Sequence, residues 1–131
     1  MPACNSDARK RLEELRLRDD EVRVTSATGG QKGQKSVEMG RLPASILDVA
    51  AHFTAGSKKY PDVAPGVANW SLGYDWSLSY NALQRHLTAW WYGEDLDPEL
   101  GNSHLAAVAF HALVLMQFQA DGVGTDDRVK G

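Results

Sequence analysis

Cysteine is almost missing from this chain of 131 residues, since its one example, Cys4, stands close to the N-terminus. A single cysteine forms no internal disulfide and supplies too few thiolates for a cysteine-based zinc site. Disulfides belong to oxidising compartments, so their absence fits a protein of the reducing cytoplasm. Hydrophobic residues make up 43% of the chain, which is enough for one core. We therefore expect a cytoplasmic protein with a single domain.

Long hydrophobic runs are missing as well. The longest apolar stretch is AAVAFHALVLM (106–116), which His111 interrupts and which is too short to cross a bilayer. No basic segment followed by an apolar run opens the chain, so we expect no signal peptide. The net charge of −3 argues against a broad basic surface for nucleic acid. We therefore expect neither a membrane nor a nucleic acid as partner.

Helical periodicity dominates what the chain does contain. The segments 42–60, 76–93 and 103–120 repeat apolar residues at intervals of three or four. The last of them is apolar on most of its surface, so we expect it to lie at the centre. A shorter helix is predicted over 7–21, where charges surround a thin apolar stripe. With no convincing series of strands, the prediction is an all-α, compact, bundle-like domain of three to four helices.

The domain boundaries follow from the same pattern. Residues 1–21 are predicted to form an N-terminal helical segment and residues 22–120 the main domain. Residues 121–131 are rich in glycine and aspartate and are predicted to form a flexible tail. The segment 24–36 is predicted to be a loop, because it contains three glycines and few apolar residues.

Local residue types mark the predicted helix ends. Pro43 suits a first turn, because its missing N–H would have no helical partner there. Gly56 is predicted to end the helix that begins near Pro43. Asp75 is predicted to cap the next helix, and either Asn102 or Ser103 the last one, because short polar side chains accept hydrogen bonds from free N–H groups.

The stretch GEDLDPELGNSH (93–104) joins the two strongest helix predictions and is dense in carboxylates. Mg²⁺ and Mn²⁺ prefer oxygen ligands, often one or two carboxylates with substrate phosphates. Asp95 and Asp97 are the predicted metal ligands. Glu94 stands at a helix C-terminus, where the dipole disfavours an anion and a cation would relieve it. The alternative is a solvated turn whose charges are screened by water.

Two histidines flank this acidic stretch. His86 lies in the preceding helix and His104 opens the next one, so an antiparallel hairpin would bring both towards the carboxylates. We predict His104 as a further metal ligand and His86 as a catalytic base, with Glu94 as the other candidate base. Both histidines could instead be hydrogen-bonded members of the core, which is our prediction for His111.

Positive charge is concentrated at a few positions. The segment GGQKGQK (29–35) provides Lys32 and Lys35 beside glycines, whose backbone N–H groups approach an anion closely. It lacks the GK[ST] ending of a P-loop, and its alternative interpretation is a merely flexible loop. Lys58 and Lys59 form a second basic pair. We predict that these four lysines bind substrate phosphates.

Arg85 and Trp70 complete the predicted site. Arg85 precedes His86 and is predicted to neutralise charge that develops on a phosphate. Trp70 lies in a loop rather than on a helical face, so we predict that it stacks on a base. The alternative for Trp70 is a place in the core.

Several blocks of the sequence resemble the phage dATP/dGTP diphosphohydrolase family, in its N-terminal domain. In order they are VRVTSATGGQKGQK, GSKKYPD, NWSLGYDWS, ALQRHLTAWWYGEDLDPELGNSHL and FHALVLMQF. They extend over residues 22 to 119, and the block that contains RHL and GEDLDPELGNSHL is the most specific.

The resemblance implies an all-α, MazG-like pyrophosphohydrolase that converts dGTP and dATP to monophosphate and pyrophosphate. It implies a divalent metal (Mg²⁺, Mn²⁺ or Co²⁺), a homodimer or larger homo-oligomer, and a place in the host cytoplasm if a phage encodes it. In some phages this activity serves the synthesis of 2-aminoadenine nucleotides. The matching positions are Lys32, Lys35, Lys58, Lys59, Trp70, Asp75, Arg85, His86, Glu94, Asp95, Asp97 and His104.

Two positions depart from the family pattern. Gly40 stands where relatives often have an aspartate, and Ala107 stands where they often have a second histidine. The paired ExxE helix of typical MazG-like enzymes is also absent. These departures favour an alternative, a non-catalytic nucleotide-binding or regulatory module with the same lysines and aromatic residues. A third hypothesis is a purely structural protein with a solvated acidic loop.

Overall fold

The computed structural model describes residues 10, 11, 13, 14, 22–34 and 37–130. The chain divides into two compact units, of which the larger includes Ala44–Gly131 and the smaller is Asn5–Pro43. The helix predicted over 7–21 lies largely outside the described residues, although the four that are described there are helical. The larger unit is built from α1 (Ile46–Lys59), α2 (Trp76–Trp91) and α3 (His104–Asp121).

The smaller unit contains a β-hairpin where the sequence predicted a loop. Strand β1 (Val22–Thr25) pairs antiparallel with strand β2 (Gln31–Gln34). The chain is therefore mostly helical, but the all-α prediction was wrong for this segment. Alternating β-branched residues before a glycine turn are a hairpin signal, and Gly29 supplies the positive φ of 92° that the turn needs.

Helix α1 continues through Gly56, the residue predicted to end it, and stops at Lys59. The next residue, Tyr60, precedes Pro61 and adopts φ −126° and ψ 89°. A residue before proline avoids the helical region because its backbone meets the pyrrolidine ring. Proline rather than glycine therefore sets the end of α1.

Helices α2 and α3 form an antiparallel hairpin that provides most of the core. Among the described residues, α3 contributes four of the five buried apolar side chains, and the fifth, Ala82, comes from α2. The largest of them is Phe118, which is 1% exposed and meets the ring of Tyr74 edge-on, with 5.1 Å between ring centroids. The central position predicted for this helix is confirmed. No helix in the described part of the chain has the length and apolar character needed to cross a membrane.

One predicted helix cap is confirmed, and the other is replaced by a residue from elsewhere in the chain. Ser103 caps α3, because its Oγ accepts a hydrogen bond from the Leu105 N–H at 3.2 Å. Asp75 occupies the cap position of α2 without a side-chain hydrogen bond. The carboxylate of Asp127 accepts from the Ser77 N–H instead, at 2.9 Å. An anion at a helix N-terminus is stabilised by the helix dipole, so a distant residue performs the capping role.

Residues 123–128, part of the predicted flexible tail, lie along the start of α2. The Trp76 Nε1–H donates to the Val123 carbonyl at 2.9 Å, and the Arg128 guanidinium stands 5.0 Å from the centroid of the Trp76 ring. Gly124 has φ 75°, and a Cβ there would collide with the Tyr74 carbonyl. The tail thereby holds the segment that carries Tyr74.

Two glycines of the tail provide a matched test of this docking. Both Gly122 and Gly124 have positive φ, but a Cβ at Gly122 meets nothing within 4 Å. We expect Gly122→Ala to lower the free energy of unfolding by about 1–2 kcal/mol, the strain of a left-handed residue. Gly124→Ala adds a backbone collision and should cost clearly more. Urea denaturation measures both, and equal losses would contradict the docked tail.

Candidate functional site

A cavity of about 560 Å³ lies within the helical unit, between α1, the 3₁₀ turn Asn69–Leu72, α2, the acidic loop and α3. Sites for small molecules commonly enclose roughly 300–1,000 Å³, so this volume suits one ligand. Its polar lining includes carboxylates, cations and histidines, and its apolar lining is mainly aromatic.

Three rings form a contiguous aromatic wall, which we define as Phe53, Trp70 and Phe110. The centroid of Phe53 lies 6.1 Å from that of Trp70 and 4.5 Å from that of Phe110. Trp70 also packs on Phe118, at 6.2 Å. Trp70 thus belongs to the cavity, as predicted, and to the core as well. Flat aromatic surfaces of this kind offer a base a stacking platform.

Sequence reasoning placed Trp70 in the site but missed the other two rings. Phe53 belongs to the apolar periodicity of α1, and Phe110 to the apolar surface of α3. Periodicity shows that such residues face inward, but it does not distinguish a core position from a cavity wall. Contacts between separate helices make that distinction.

The acidic loop between α2 and α3 is held in shape by its own backbone. The N–H of Asp97 donates to the Asn102 carbonyl at 2.7 Å, and the N–H of His104 donates to the Asp95 carbonyl at 3.0 Å. Asp97 is only 8% exposed and lines the cavity, while Asp95 is exposed and does not. The two aspartates predicted as joint metal ligands are therefore separated.

Glu99 is the second carboxylate of this loop that reaches the cavity. The Asp97 Oδ1 accepts a hydrogen bond from the Glu99 N–H at 2.9 Å, so one turn of the loop directs both side chains to the same place. Glu99 also pairs with Lys59, whose Nζ stands 2.5 Å from Glu99 Oε1. That hydrogen bond raises the pKa of Lys59 and keeps it charged.

The predicted phosphate-binding cations do not all reach the cavity. Lys59 and Arg85 line it, and Lys58 does not. Lys32 belongs to β2, in the smaller unit, where it stands opposite Val24. Lys35 lies outside the described residues. Residues 29–34 of this segment form a turn and a paired strand rather than an open anion-binding loop.

His104 lies behind the cavity and connects two other site residues. Its ring is 4% exposed, its Nε2 is 2.7 Å from Glu94 Oε1, and its Nδ1 is 2.9 Å from His86 Nδ1. A metal bond needs a free ring nitrogen, and both nitrogens of His104 are engaged. Glu94 contacts His104 rather than the cavity, whereas His86 lines the cavity directly.

His111 lines the cavity and is also satisfied internally. Its Nδ1 is 3.0 Å from Ser79 Oγ, which is 2.6 Å from the Tyr74 hydroxyl. Burial is the main cause that lowers the pKa of His111, to about 4. The predicted core histidine is therefore a neutral group on the cavity wall.

His52 lies one turn after Asp48, and this spacing favours a simple surface pair over a metal pair, but the structure makes His52 a buried residue of the site. It is 5% exposed and lines the cavity, and its Nδ1 has no hydrogen-bond partner among the described residues. Burial, and then the nearby His86, lower its pKa. The available signal was a histidine within the apolar stripe of α1, beside Phe53.

The two departures from the family pattern lie in different units. Ala107 is fully buried in α3, one turn before His111, and Gly40 belongs to the 3₁₀ turn Met39–Arg41. Within the described ranges, no group of three or more His, Cys, Asp and Glu side chains is arranged to hold a metal ion. The carboxylates that line the cavity are Asp62, Asp97 and Glu99.

The lowered pKa of His111 predicts how stability depends on pH. Between about 4 and 6.5 the unfolded chain binds a proton that the folded chain does not, so stability falls as pH drops through that window. The loss should reach on the order of 2–3 kcal/mol. In His111→Gln the loss of stability over this pH window should be smaller by that amount. Urea denaturation at several pH values in the window measures the free energy of unfolding of both proteins. The same pH dependence in both proteins would refute the role of His111.

The comparisons with known proteins bear on the whole of this arrangement. The model of the family "dATP/dGTP diphosphohydrolase, N-terminal" matches residues 26–128. No curated protein and no solved structure matches the chain. The family match includes all three helices, the acidic loop and every residue named in the cavity lining. By this match, the chain belongs to the dATP/dGTP diphosphohydrolase family, in its N-terminal domain.

Proposed function

We propose that this protein hydrolyses purine deoxynucleoside triphosphates, dGTP and dATP, to monophosphate and pyrophosphate with a divalent metal. The name of its family supports the reaction. The observation that carries the proposal is the cavity, where an aromatic wall meets two cations and two inward-facing carboxylates of the acidic loop. A phosphorylated base needs both kinds of surface. Service to phage 2-aminoadenine synthesis is the wider role that the family suggests.

The substrate would divide between the two kinds of surface. The base would lie against the aromatic wall, where stacking contributes about 1–3 kcal/mol per base. The phosphates would lie near Lys59 and Arg85, which line the same cavity. These cations offset the charge that spreads over the phosphate oxygens in the transition state.

Asp97 and Glu99 are the residues that would hold the metal. Their oxygens suit a hard cation, and such a cation is often bound by one or two carboxylates together with substrate phosphates. This donor set agrees with the lack of a larger ligand group among the described residues. A bound metal would supply Lewis acidity and lower the pKa of a coordinated water. Asp95 and His104, predicted from the sequence, are not part of this proposal.

His86 is the proposed proton acceptor. It lines the cavity, and burial lowers its pKa against the opposing influence of Asp97, so the ring is neutral near pH 7. A neutral imidazole is able to take a proton from water. Glu94, the other candidate base, is directed at His104 instead.

A second candidate function is a nucleotide-binding module without catalysis. Ala107 and the small donor set for a metal favour it. The two functions predict the same cavity but different chemistry, so product analysis separates them. Binding without hydrolysis at saturating Mn²⁺ would support the module.

The decisive experiment is a nucleotide panel with each dNTP and Mg²⁺, Mn²⁺ or Co²⁺, resolved by anion-exchange chromatography. We expect dGMP or dAMP with pyrophosphate. Asp97→Asn should reduce kcat by at least about 100-fold, because the inward carboxylate is lost. Asp95→Asn is the matched control and should retain activity, because only its backbone carbonyl is used. A diphosphate product, or a folded protein without product, would refute the proposed reaction.

The adjacent lysines give a test of phosphate binding. Lys59 lines the cavity and Lys58 does not. We expect Lys59→Ala to raise KM about tenfold, which corresponds to about 1.4 kcal/mol of binding. Lys58→Ala should leave KM unchanged. Steady-state kinetics measure both, and equal effects would remove Lys59 from the phosphate site.

A further inference from the structure

We propose that Glu94 and His104 are positioning residues that fix the tautomer of His86, so that its Nε2 is the proton acceptor at the cavity. The tautomer follows from contacts within the fold. Its use, to take a proton from water, rests on the proposed function.

Three side chains form a continuous chain of hydrogen bonds from solvent to the cavity. Glu94 is 53% exposed in its side chain, His104 is buried, and His86 lines the cavity. The separations are 2.7 Å from Glu94 Oε1 to His104 Nε2 and 2.9 Å between the two Nδ1 atoms. No described residue forms a hydrogen bond with His86 Nε2.

The position of each proton follows from the kinds of atom in contact. A carboxylate only accepts hydrogen bonds, so His104 Nε2 carries a proton and donates it to Glu94. When His104 carries only this one N–H, its Nδ1 accepts. Because His86 Nδ1 must donate to that atom, its Nε2 keeps the lone pair.

Secondary structure keeps this chain of contacts in place. His86 lies on α2, His104 is the first residue of α3, and Glu94 follows the end of α2. The Glu94 N–H donates to the Ala89 carbonyl at 3.0 Å, and the His104 N–H donates to the Asp95 carbonyl at the same distance. Two backbone hydrogen bonds thus hold Glu94 and His104 in position.

In the proposed hydrolysis, His86 accepts the proton that the attacking water loses. Water attacks phosphorus, one O–H bond breaks and its proton moves to His86 Nε2. A new oxygen–phosphorus bond forms, and the bond to the bridging oxygen breaks with its electron pair on the leaving group. His86 becomes an imidazolium, whose charge the half-exposed Glu94 stabilises through His104.

The opposite placement of the protons on His104 and His86 is chemically possible, and an experiment distinguishes the two placements. If Glu94 did not direct these protons, or if His104 were protonated on both nitrogens, His104 Nδ1 would donate to His86, whose own proton would then lie on Nε2. That tautomer has no lone pair at the cavity. The two states differ in which nitrogen is protonated, and ¹⁵N chemical shifts of imidazole report this directly.

The test is long-range ¹H–¹⁵N NMR of the full chain, labelled with ¹⁵N-histidine and free of nucleotide. We expect His86 to be protonated at Nδ1 and unprotonated at Nε2. In Glu94→Gln the amide is able to donate as well as accept, so His86 should shift towards the Nε2–H tautomer. Glu38→Gln, a glutamate in the smaller unit, is the matched control and should leave the spectrum unchanged.

Kinetics provide the second readout. Glu94→Gln should lower kcat by on the order of 100-fold, within the usual contribution of a general base, while KM changes little. Wild-type His86 protonated at Nε2, or a Glu94→Gln variant with unchanged tautomer and kcat, would overturn the proposal. A wild-type protein with the expected tautomer but no hydrolysis would refute the proposed function and leave the positioning chain intact.

Discussion

Close packing of α2 against α3 is the constraint on which the rest of the site depends. Hydrogen bonds join the two helices at His86–His104 and at Ser79–His111. Ala107, fully buried, lies between His104 and His111 along α3 and adds only a methyl group. The loop between the helices directs Asp97 inward. The cavity is thus a product of helix packing rather than of a separately folded binding loop.

The sequence was informative where local pattern and local chemistry agree. The apolar character of α3 and a polar cap at Asn102 or Ser103 follow from local residue types, and the antiparallel hairpin accounts for the approach of His86 to His104. The glycines of 24–36 predict a loop, whereas the alternating valines before them form a strand. Gly56 is a weaker signal for a helix end than Pro61, which restricts Tyr60 sterically.

The exact composition of the site depended on information that spacing does not contain. Asp95 and Asp97 look equivalent in the sequence, but backbone hydrogen bonds within the loop turn one outward and one inward. Lys58 and Lys59 also differ, because successive residues of α1 point in different directions around the helix axis. His52 shows the reverse case, since its spacing from Asp48 suggests a surface pair, whereas the packing of α1 buries it.

The fixed charges of the cavity would affect whether a nucleotide enters alone or already bound to a cation. Among its described lining residues, three carboxylates (Asp62, Asp97 and Glu99) face two cations, and burial keeps the histidines close to neutral. A free triphosphate would therefore approach a wall whose net charge is negative. A nucleotide that already carries a divalent cation meets far less repulsion. In the proposed reaction, the metal–nucleotide complex would therefore be the species that enters the cavity.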